Sequence, residues 1–432
     1  MNESICDGGY NEGGLLRFGV LAMMVGSAAP AAERAPAFYK DVLPILQNHC
    51  QECHRPGEIG PMPLLTYKEA RPWAKAIREA VAKRQMPPWF ADPHYGRFAN
   101  DRRLPQAEID TILAWADCGA PAGSAHDGPR PKVWTEGWTI GTPDAVFTMP
   151  QPFPVPAAGE LSYQYIIVPT GLTADRWVQK VEIRPGDRAV VHHAVVYVRD
   201  PKSPWLRDHP AGRAFSLNAP EITRNDVLFT YTPGNQSDGW PEGMAKLIPA
   251  GSDLVFQMHY TPARKPSLDQ TRIGVIYAKA PPQRRVLTLQ LNSASFLIPP
   301  GHPNYQVHVW GTIPNDALLM SLYPHMHLRG KSFEFALTPP GGKREVLLKV
   351  NHYNFYWQLN YRLAEPIPLQ AGSRLEALAT FDNSKNNPRN PDPDVAVRYG
   401  EQSTDEMMIG FFDVAVDAKV DKFQFFERGA LN

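Results

Sequence analysis

The chain has no surplus of charge of either sign and almost no long hydrophobic run. It contains 44 Lys and Arg residues against 44 Asp and Glu residues in 432 positions. A protein without a basic surface field has little with which to hold a nucleic-acid backbone. Outside the N-terminus, no apolar segment approaches the roughly 20 residues that a membrane-spanning helix needs. We therefore predict that the mature protein binds no nucleic acid and has no membrane span.

Cysteine is also scarce, with 4 residues and none after Cys118. Cys6 belongs to the N-terminal leader described next, and Cys50 and Cys53 belong to one short motif. Cys118 is thereby left alone. We expect no intrachain disulfide, even in an oxidising compartment where disulfides persist.

Residues 1–31 have the features of a secretory signal peptide. Arg17 precedes the apolar run 18–25, and Ala29–Ala31 matches a small-residue cleavage pattern. We predict that this leader is removed on export and that the protein is periplasmic or secreted. An uncleaved anchor or a disordered tail is the alternative.

A chain of this length should contain two or three domains. We predict that residues 36–122 form one of them, a small all-α domain. Apolar residues recur at helical spacing in three stretches. These are Phe38, Val42, Ile45 and Leu46, then Ala70, Trp73, Ala74, Ile77 and Val81, then Ile109, Ile112, Leu113 and Ala116.

The motif Cys50–His54 lies inside this helical region and reads C-x-x-C-H. That pattern is typical of covalent haem c attachment. A zinc ribbon would need a second C-x-x-C, and a thioredoxin-like dithiol would need a βαβ setting; the sequence offers neither. With its flanking helices, the region resembles a class I cytochrome c domain. The resemblance implies one covalently bound haem c, with Cys50 and Cys53 as attachment points and His54 as the proximal ligand.

The second axial ligand of that haem is predicted to be Met86. Pro87 and Pro88 should stop a helix ending near Gln85, which would turn the Met86 thioether toward the iron. Met62 is the alternative. Ligation by His and Met raises the reduction potential of a haem.

From about residue 133 the pattern changes to short apolar runs separated by Pro and Gly, which favours β-sandwiches. The stretch 280–284 is a natural linker, so we predict one β domain over 133–280 and a second over 285–430. A hairpin is expected where the segments 332–338 and 344–349 flank Pro339–Gly342.

Five of the 13 histidines fall in three strand-like segments, 191–195, 256–260 and 323–327. Residues two apart share one face of a strand, so His325 and His327 can hold one metal. His192 and His193 are adjacent and would face opposite ways unless a bulge or strand end intervenes. His259 could complete a three-histidine site. Imidazole suits copper, zinc, iron and nickel.

This series of motifs, followed by the segment Asp405–Met408, resembles the type II copper, ascorbate-dependent monooxygenases, the family of peptidylglycine α-hydroxylating and dopamine β-monooxygenases. The resemblance covers roughly residues 133–430. It implies two jelly-roll-like β-sandwich domains, each holding one copper ion across a solvent-filled cleft. The implied ligands are His192, His193 and His259 in the first domain, then His325, His327 and Met407 in the second. Spacing alone would not choose Met407 over Met408.

The sequence departs from this family at informative positions. The animal enzymes are disulfide-rich, whereas this chain has no cysteine after Cys118. The peptide-amidating branch carries an arginine two residues before its H-x-H pair, where this chain has Tyr323. A glycine-extended peptide is therefore not expected as the substrate. The fused haem region offers an electron source other than ascorbate.

The predicted protein is thus a small cytochrome c-like domain followed by two β-sandwich domains, carrying two copper ions and one haem c. The predicted activity is a copper-dependent monooxygenase that uses dioxygen to hydroxylate a small organic substrate. Electrons would come from ascorbate or a redox protein. One alternative is a non-catalytic electron-transfer or copper-binding protein on the same scaffold. The other is a zinc hydrolase, although a thioether is a poor ligand for zinc.

Overall fold

The computed structural model describes residues 34–217, 225–420, 422 and 427–428. The predicted signal peptide and Cys6 lie outside these residues. The described chain forms two compact units. Of the described residues, the first unit contains 34–88 together with Arg102–Val133, and the second contains Trp89–Asp101 and the described residues from Trp134 onward.

The first unit is helical. A π-helical turn at Phe38–Val42 leads into α1 (Leu43–His49), and short 3-10 turns occupy Arg71–Trp73 and Ala125–Asp127. The remaining helices are α2 (Tyr67–Ala70), α3 (Ala74–Ala82) and α4 (Gln106–Asp117). The helices that the apolar spacing predicted in these three stretches are present.

Three details of this unit differ from expectation. Trp73 is 45% exposed and does not belong to the buried face. The helix α3 ends at Ala82 rather than near Gln85, because Arg84 takes a left-handed φ of 51° before the prolines are reached. Cys118 is disulfide-bonded, so the expectation that it stands alone is wrong. Its partner is neither Cys50 nor Cys53. The sequence could not predict the pairing, because pairing depends on proximity in the fold.

The second unit is built of strands. Its first half contains β1 (Ala145–Thr148), β2 (Phe153–Val155), β3 (Gln164–Pro169), β4 (Arg176–Arg184), β5 (Val191–Arg199), β6 (Ala214–Phe215), β7 (Asp226–Tyr231), β8 (Ser237–Gly239), β9 (Met244–Ile248), β10 (Asp253–Tyr260), β11 (Ser267–Asp269) and β12 (Arg272–Tyr277). The second half contains β13 (Arg284–Ser293), β14 (Leu297–Ile298), β15 (Tyr305–Thr312), β16 (Ala317–His325), β17 (Gly330–Thr338), β18 (Glu345–Val350), β19 (Tyr361–Leu369), β20 (Arg374–Phe381), β21 (Val397–Arg398), β22 (Met408–Asp417) and β23 (Glu427–Arg428). The predicted hairpin is confirmed by the antiparallel pairing of β17 with β18.

One long sheet runs through both halves, in the order β1-β12-β4-β9-β13-β22-β16-β19, with β8 added beside β4. The two halves join where β9 and β13 pair in parallel. Each half adds a sheet of its own, β6-β3-β10-β5-β7 in the first and β18-β17-β20-β15-β23 in the second. Among the described residues, three hydrophobic clusters lie in this unit: one drawn mainly from residues 147–286, one mainly from 287–416, and a smaller one that includes Tyr165, Trp205 and Val255. The β-sandwich architecture is therefore present, although the shared sheet makes the two halves one compact unit.

The segment Trp89–Asp101 is a strap that packs in the β unit, although the sequence places it inside the predicted haem domain. Ala91 bridges Val350 and Phe98 bridges Leu363, extending the edges of β18 and β19. Within the described ranges, no helix has both the length and the apolar character needed to cross a membrane.

Candidate metal centre

The three histidines of the first half meet because of a β-bulge. Strands β5 and β10 are antiparallel, with His193 opposite His259 and Val191 opposite Tyr260. His192 is therefore the extra residue of the bulge. A bulge re-aims a side chain that regular pleating would send to the other face. The bulge that the adjacent pair required is present at this position.

These three imidazoles form a site with the dimensions of a metal centre. One ring nitrogen from each of His192, His193 and His259 can be chosen so that all three lie within 4.8 Å of one another. The ring centroids of His193 and His259 are 4.8 Å apart, and those of His192 and His259 are 5.2 Å apart.

The second pair lies where β16 ends. His325 is the last residue of that strand, opposite Ile409 of β22. The ring centroids of His325 and His327 are 5.3 Å apart. The turn after β16 is fixed by the buried carboxylate of Glu406, which accepts hydrogen bonds from the backbone N–H groups of His327, at 2.9 Å, and Arg329.

Strand alternation separates the two candidate methionines. Met407 is two residues before Ile409, the partner of His325, so a regular pleat carries its side chain toward the His325 face. Met408 points the other way and is fully buried in the hydrophobic core of the second half. Met407 lies just before β22 begins, so its role as the thioether ligand stays a prediction.

The two histidine sets lie against one another. The ring centroids of His193 and His325 are 5.7 Å apart in an edge-to-face contact. None of the five histidines is more than 7% exposed. The expected solvent-filled cleft between the sets is wrong for the described residues, because packing of the two halves brings the imidazoles into contact.

Burial also keeps the five imidazoles neutral. It lowers the pKa of His192 and of His325 to about 4, and the nearby His325 imidazole adds to the effect at His192. It lowers the pKa of His193, His259 and His327 well below the ordinary value. A histidine must be deprotonated to bind a metal, so these rings are ready ligands at neutral pH.

Hydrogen bonding selects which nitrogen of His325 is available. Its Nδ1 lies 2.6 Å from Oε1 of Gln358. Because the amide oxygen can only accept, Nδ1 carries the proton and Nε2 is left to bind a metal. Among the described residues, Nδ1 of His259 has no hydrogen-bond partner. An orphaned nitrogen in a buried cluster fits a metal site.

Aromatic side chains enclose the cluster, and no sequence motif identified them. Phe355 stacks on His192 with a ring-centroid distance of 4.3 Å. Tyr163 lies 5.4 Å from His193 and 4.8 Å from His259, measured between ring centroids. No motif identified Gln358 either, because it lies in a loop well away in sequence from its partner His325.

Tyr323 lies two residues before His325 and is buried beside Phe411, with a ring-centroid distance of 5.6 Å. Burial raises the pKa of its phenol, so it stays neutral. It supplies no positive charge for a carboxylate. Tyr323 and Phe411 line a polar cavity of about 30 Å³. A space of that size holds water molecules and no organic substrate.

The C-x-x-C-H residues lie in the helical unit, and neither Cys50 nor Cys53 is in a disulfide, so both could form thioether bonds to a haem. Burial raises the pKa of the Cys50 thiol to about 12. Nδ1 of His54 lies 3.1 Å from the Met62 carbonyl oxygen, which leaves Nε2 for iron. A Cβ on Gly60 would lie 2.8 Å from the His54 ring, so only glycine lets the loop pass this close.

The same contact bears on the second axial ligand. The Met62 backbone sits on the Nδ1 side of the His54 ring, away from the nitrogen that would face iron. Met86 is half-buried and follows the reversal at Arg84. This arrangement favours Met86, which stays a prediction.

No known protein-family model matches the chain, and no curated protein matches its sequence. Some solved structures align over long stretches. The major capsid protein P2 of bacteriophage PM2 is 8% identical over 64% of this chain and 99% of its own, with a TM-score of 0.27. The structure of PNGF-II is 9% identical over 62% of this chain and 66% of its own, with a TM-score of 0.26. Likenesses at this level carry no argument about function.

The lowered histidine pKa values predict acid sensitivity of the metal-free protein. A histidine in the unfolded chain has a pKa of about 6.5 and takes up a proton as the pH falls below that value, whereas the buried rings of the folded protein stay neutral. The free energy of unfolding therefore falls with pH until the pH reaches the folded-state pKa. Between about pH 7.5 and pH 5, one ring with a folded-state pKa of about 4 lowers the free energy of unfolding by about 2 kcal/mol. Denaturant melts of His192→Gln should therefore show a shallower loss than the wild type. The exposed His352→Gln variant should keep the wild-type slope. Equal slopes in all three proteins would contradict the burial account.

Replacing Gln358 should weaken metal binding without removing a ligand. Gln358→Leu leaves the Nδ1–H of His325 without its acceptor, and losing such a partner typically costs about 10–100-fold in metal affinity. Copper titration of the full chain measures the effect. Gln236, which accepts from Arg188 elsewhere in the β unit, provides a control. Similar affinities in Gln358→Leu and Gln236→Leu would show that the Gln358 contact does not orient the metal site.

Proposed function

We propose that the chain is a copper- and haem-dependent monooxygenase, and that it resembles the type II copper monooxygenases in fold and ligand set. The observation that carries this proposal is the inequality of the two histidine sets. One offers three imidazole nitrogens from β5 and β10, and the other offers two imidazoles at the end of β16, to which Met407 would add a thioether. Three nitrogen ligands suit a copper that relays electrons. A thioether shifts preference toward Cu(I), the state that binds dioxygen.

Bound copper would supply the one-electron steps and the activation of dioxygen, and bound haem c would supply electrons. The chain's own part is to fix coordination and exclude water. Its five neutral imidazoles are held by the bulge, by the turn that Glu406 fixes and by Gln358. The contact of His193 with His325 places the two sets next to each other, which supports direct electron passage from one to the other.

The oxidised substrate would be a small organic molecule that gains one oxygen atom, with the electrons drawn from ascorbate or a redox protein. The neutral phenol of Tyr323 in place of an arginine argues against a carboxylate-anchored peptide. The cavity beside Tyr323 has room only for water-sized molecules, so in this conformation it does not accommodate such a substrate. The predicted leader supports a periplasmic or secreted location.

A second candidate function is a non-catalytic copper-binding or electron-transfer protein, favoured by the small size of that cavity. It needs the same ligands and no substrate pocket. A zinc hydrolase is less well supported, since a thioether suits zinc poorly.

Oxygen uptake by the copper-loaded full chain tests the proposal. With a reductant and a broad panel of small organic substrates, uptake should be coupled to a product that gains one oxygen. Met407→Leu should lower uptake by about tenfold or more, since a hydrocarbon replaces the soft ligand. Met408→Leu, a similar change inside the core, should leave it nearly unchanged. Copper-loaded protein that consumes no oxygen with any donor, or equal effects of the two variants, would contradict the proposal.

A further inference from the structure

The two halves of the β unit have no disulfide to join them, because the strap Trp89–Asp101 and the chain after Cys118 contain no cysteine. Strands β9 and β13 connect the halves through a short stretch of parallel pairing. Side chains also meet at this junction. Two of them, Lys246 of β9 and Asp413 of β22, form a buried pair of opposite charge.

The Lys246 ammonium is held in one position inside the β unit. The residue is 5% exposed. Its Nζ donates to the carbonyl oxygens of Val227, at 3.0 Å, and Leu228, at 3.1 Å. It also donates to Oγ1 of Thr288 at 2.7 Å. These bonds keep the nitrogen 3.8 Å from Oδ1 of Asp413.

The Asp413 carboxylate is held as firmly as the amine that faces it. The residue is 7% exposed. The hydroxyl of Thr288 donates to its Oδ1, and the hydroxyl of Ser321 donates to its Oδ2 at 3.1 Å. Thr288 therefore contacts both members of the pair. Groups fixed in a reactive geometry can behave as if present at about 10⁵–10⁸ M.

A second carboxyl group lies beside the pair. Asp238 is 7% exposed and interacts electrostatically with both Lys246 and Asp413. All three residues line the polar cavity of about 30 Å³ that Tyr323 also lines. Burial raises the pKa of Asp238, although the Arg362 guanidinium at 3.3 Å opposes the shift. Asp238 is therefore suited to accept and return a proton between the two groups beside it.

A buried ion pair is costly, because both charges lose their hydration. Joining the amine and the carboxylate as an amide removes both charges and releases one water molecule. In bulk solution, hydration of the ions and the excess of water oppose this reaction. Burial weakens both effects, and the adjoining cavity has room for the released water.

We propose that Lys246 and Asp413 become linked by an intramolecular amide bond, which ties the two halves of the β unit together. The Lys246 ammonium gives one proton to the Asp238 carboxylate, and the neutral amine attacks Cγ of Asp413. A bond forms between Cγ and Nζ, and one bond between Cγ and oxygen breaks. The oxygen leaves as water with two protons that came from Lys246, one of them returned by Asp238. No electron is transferred and no other reactant is needed, so the link is independent of copper and haem.

Peptide mapping of the purified full chain tests this link. Trypsin does not cleave after an acylated lysine, so digestion should leave residues 225–264 uncut at Lys246 and joined to residues 399–419. The joined peptide should weigh one water molecule less than the sum of its two parts, and fragmentation should place the branch at Lys246 and Asp413. Peptides that end at Lys246, with residues 399–419 recovered separately, would overturn the proposal.

Lys349 and Glu334 provide an internal control in the same digest. Their nitrogen and oxygen atoms are also 3.8 Å apart, but the Lys349 side chain is 38% exposed. Water hydrates this pair, so its two peptides should be recovered unlinked. A link there as complete as that at Lys246 would overturn the claim that burial drives the reaction.

Two variants test the part played by Asp238. Asp238→Asn keeps the size of the side chain and removes the acid, so it should lower the linked fraction by about tenfold or more. Asp226→Asn changes a carboxylate that pairs with Arg285 and should leave the link complete. Circular dichroism establishes that both variants are folded. Complete linkage in folded Asp238→Asn would overturn the role of Asp238 as the proton carrier.

Discussion

The bulge between β5 and β10 is the constraint on which the metal centre depends. A regular antiparallel pair would bury one of the adjacent histidines and turn the other away. The extra residue at His192 instead brings it to the side of His193 and His259. Because the register of an antiparallel pair is fixed, this local irregularity also fixes the positions of the three rings relative to one another.

In the second half, the local backbone also positions the histidines, but without a bulge. A strand end carries His325, a turn carries His327, and a buried carboxylate at Glu406 satisfies the turn's backbone N–H groups. Burial raises the pKa of Glu406 to about 8, so the site is held by hydrogen bonds in surroundings that disfavour charge. The same surroundings keep the imidazoles neutral. The same buried arrangement therefore serves folding and metal binding, because its polar groups are either hydrogen-bonded or available as metal ligands.

Much of this arrangement could be predicted from the sequence, and the limits have physical causes. Helical spacing located the helices, and Pro and Gly located the hairpin, because both depend on nearby residues. The need for a bulge at His192 followed from strand pleating. The contact between His193 and His325, the acceptor role of Gln358 and the disulfide at Cys118 depend on residues distant in sequence, which no local pattern encodes. The strap was predicted as part of the helical domain for the same reason, since only pairing with β18 and β19 places it in the β unit.

The central claim is that the chain holds two unequal copper ions, one by three histidines and one by two histidines and a methionine. Crystals of the copper-loaded full chain, measured on both sides of the copper absorption edge, test it most directly. The account predicts two anomalous peaks, one within bonding distance of His192, His193 and His259, and the other of His325, His327 and Met407. A single copper shared by the five histidines, or a second copper bound by Met408 in place of Met407, would contradict it.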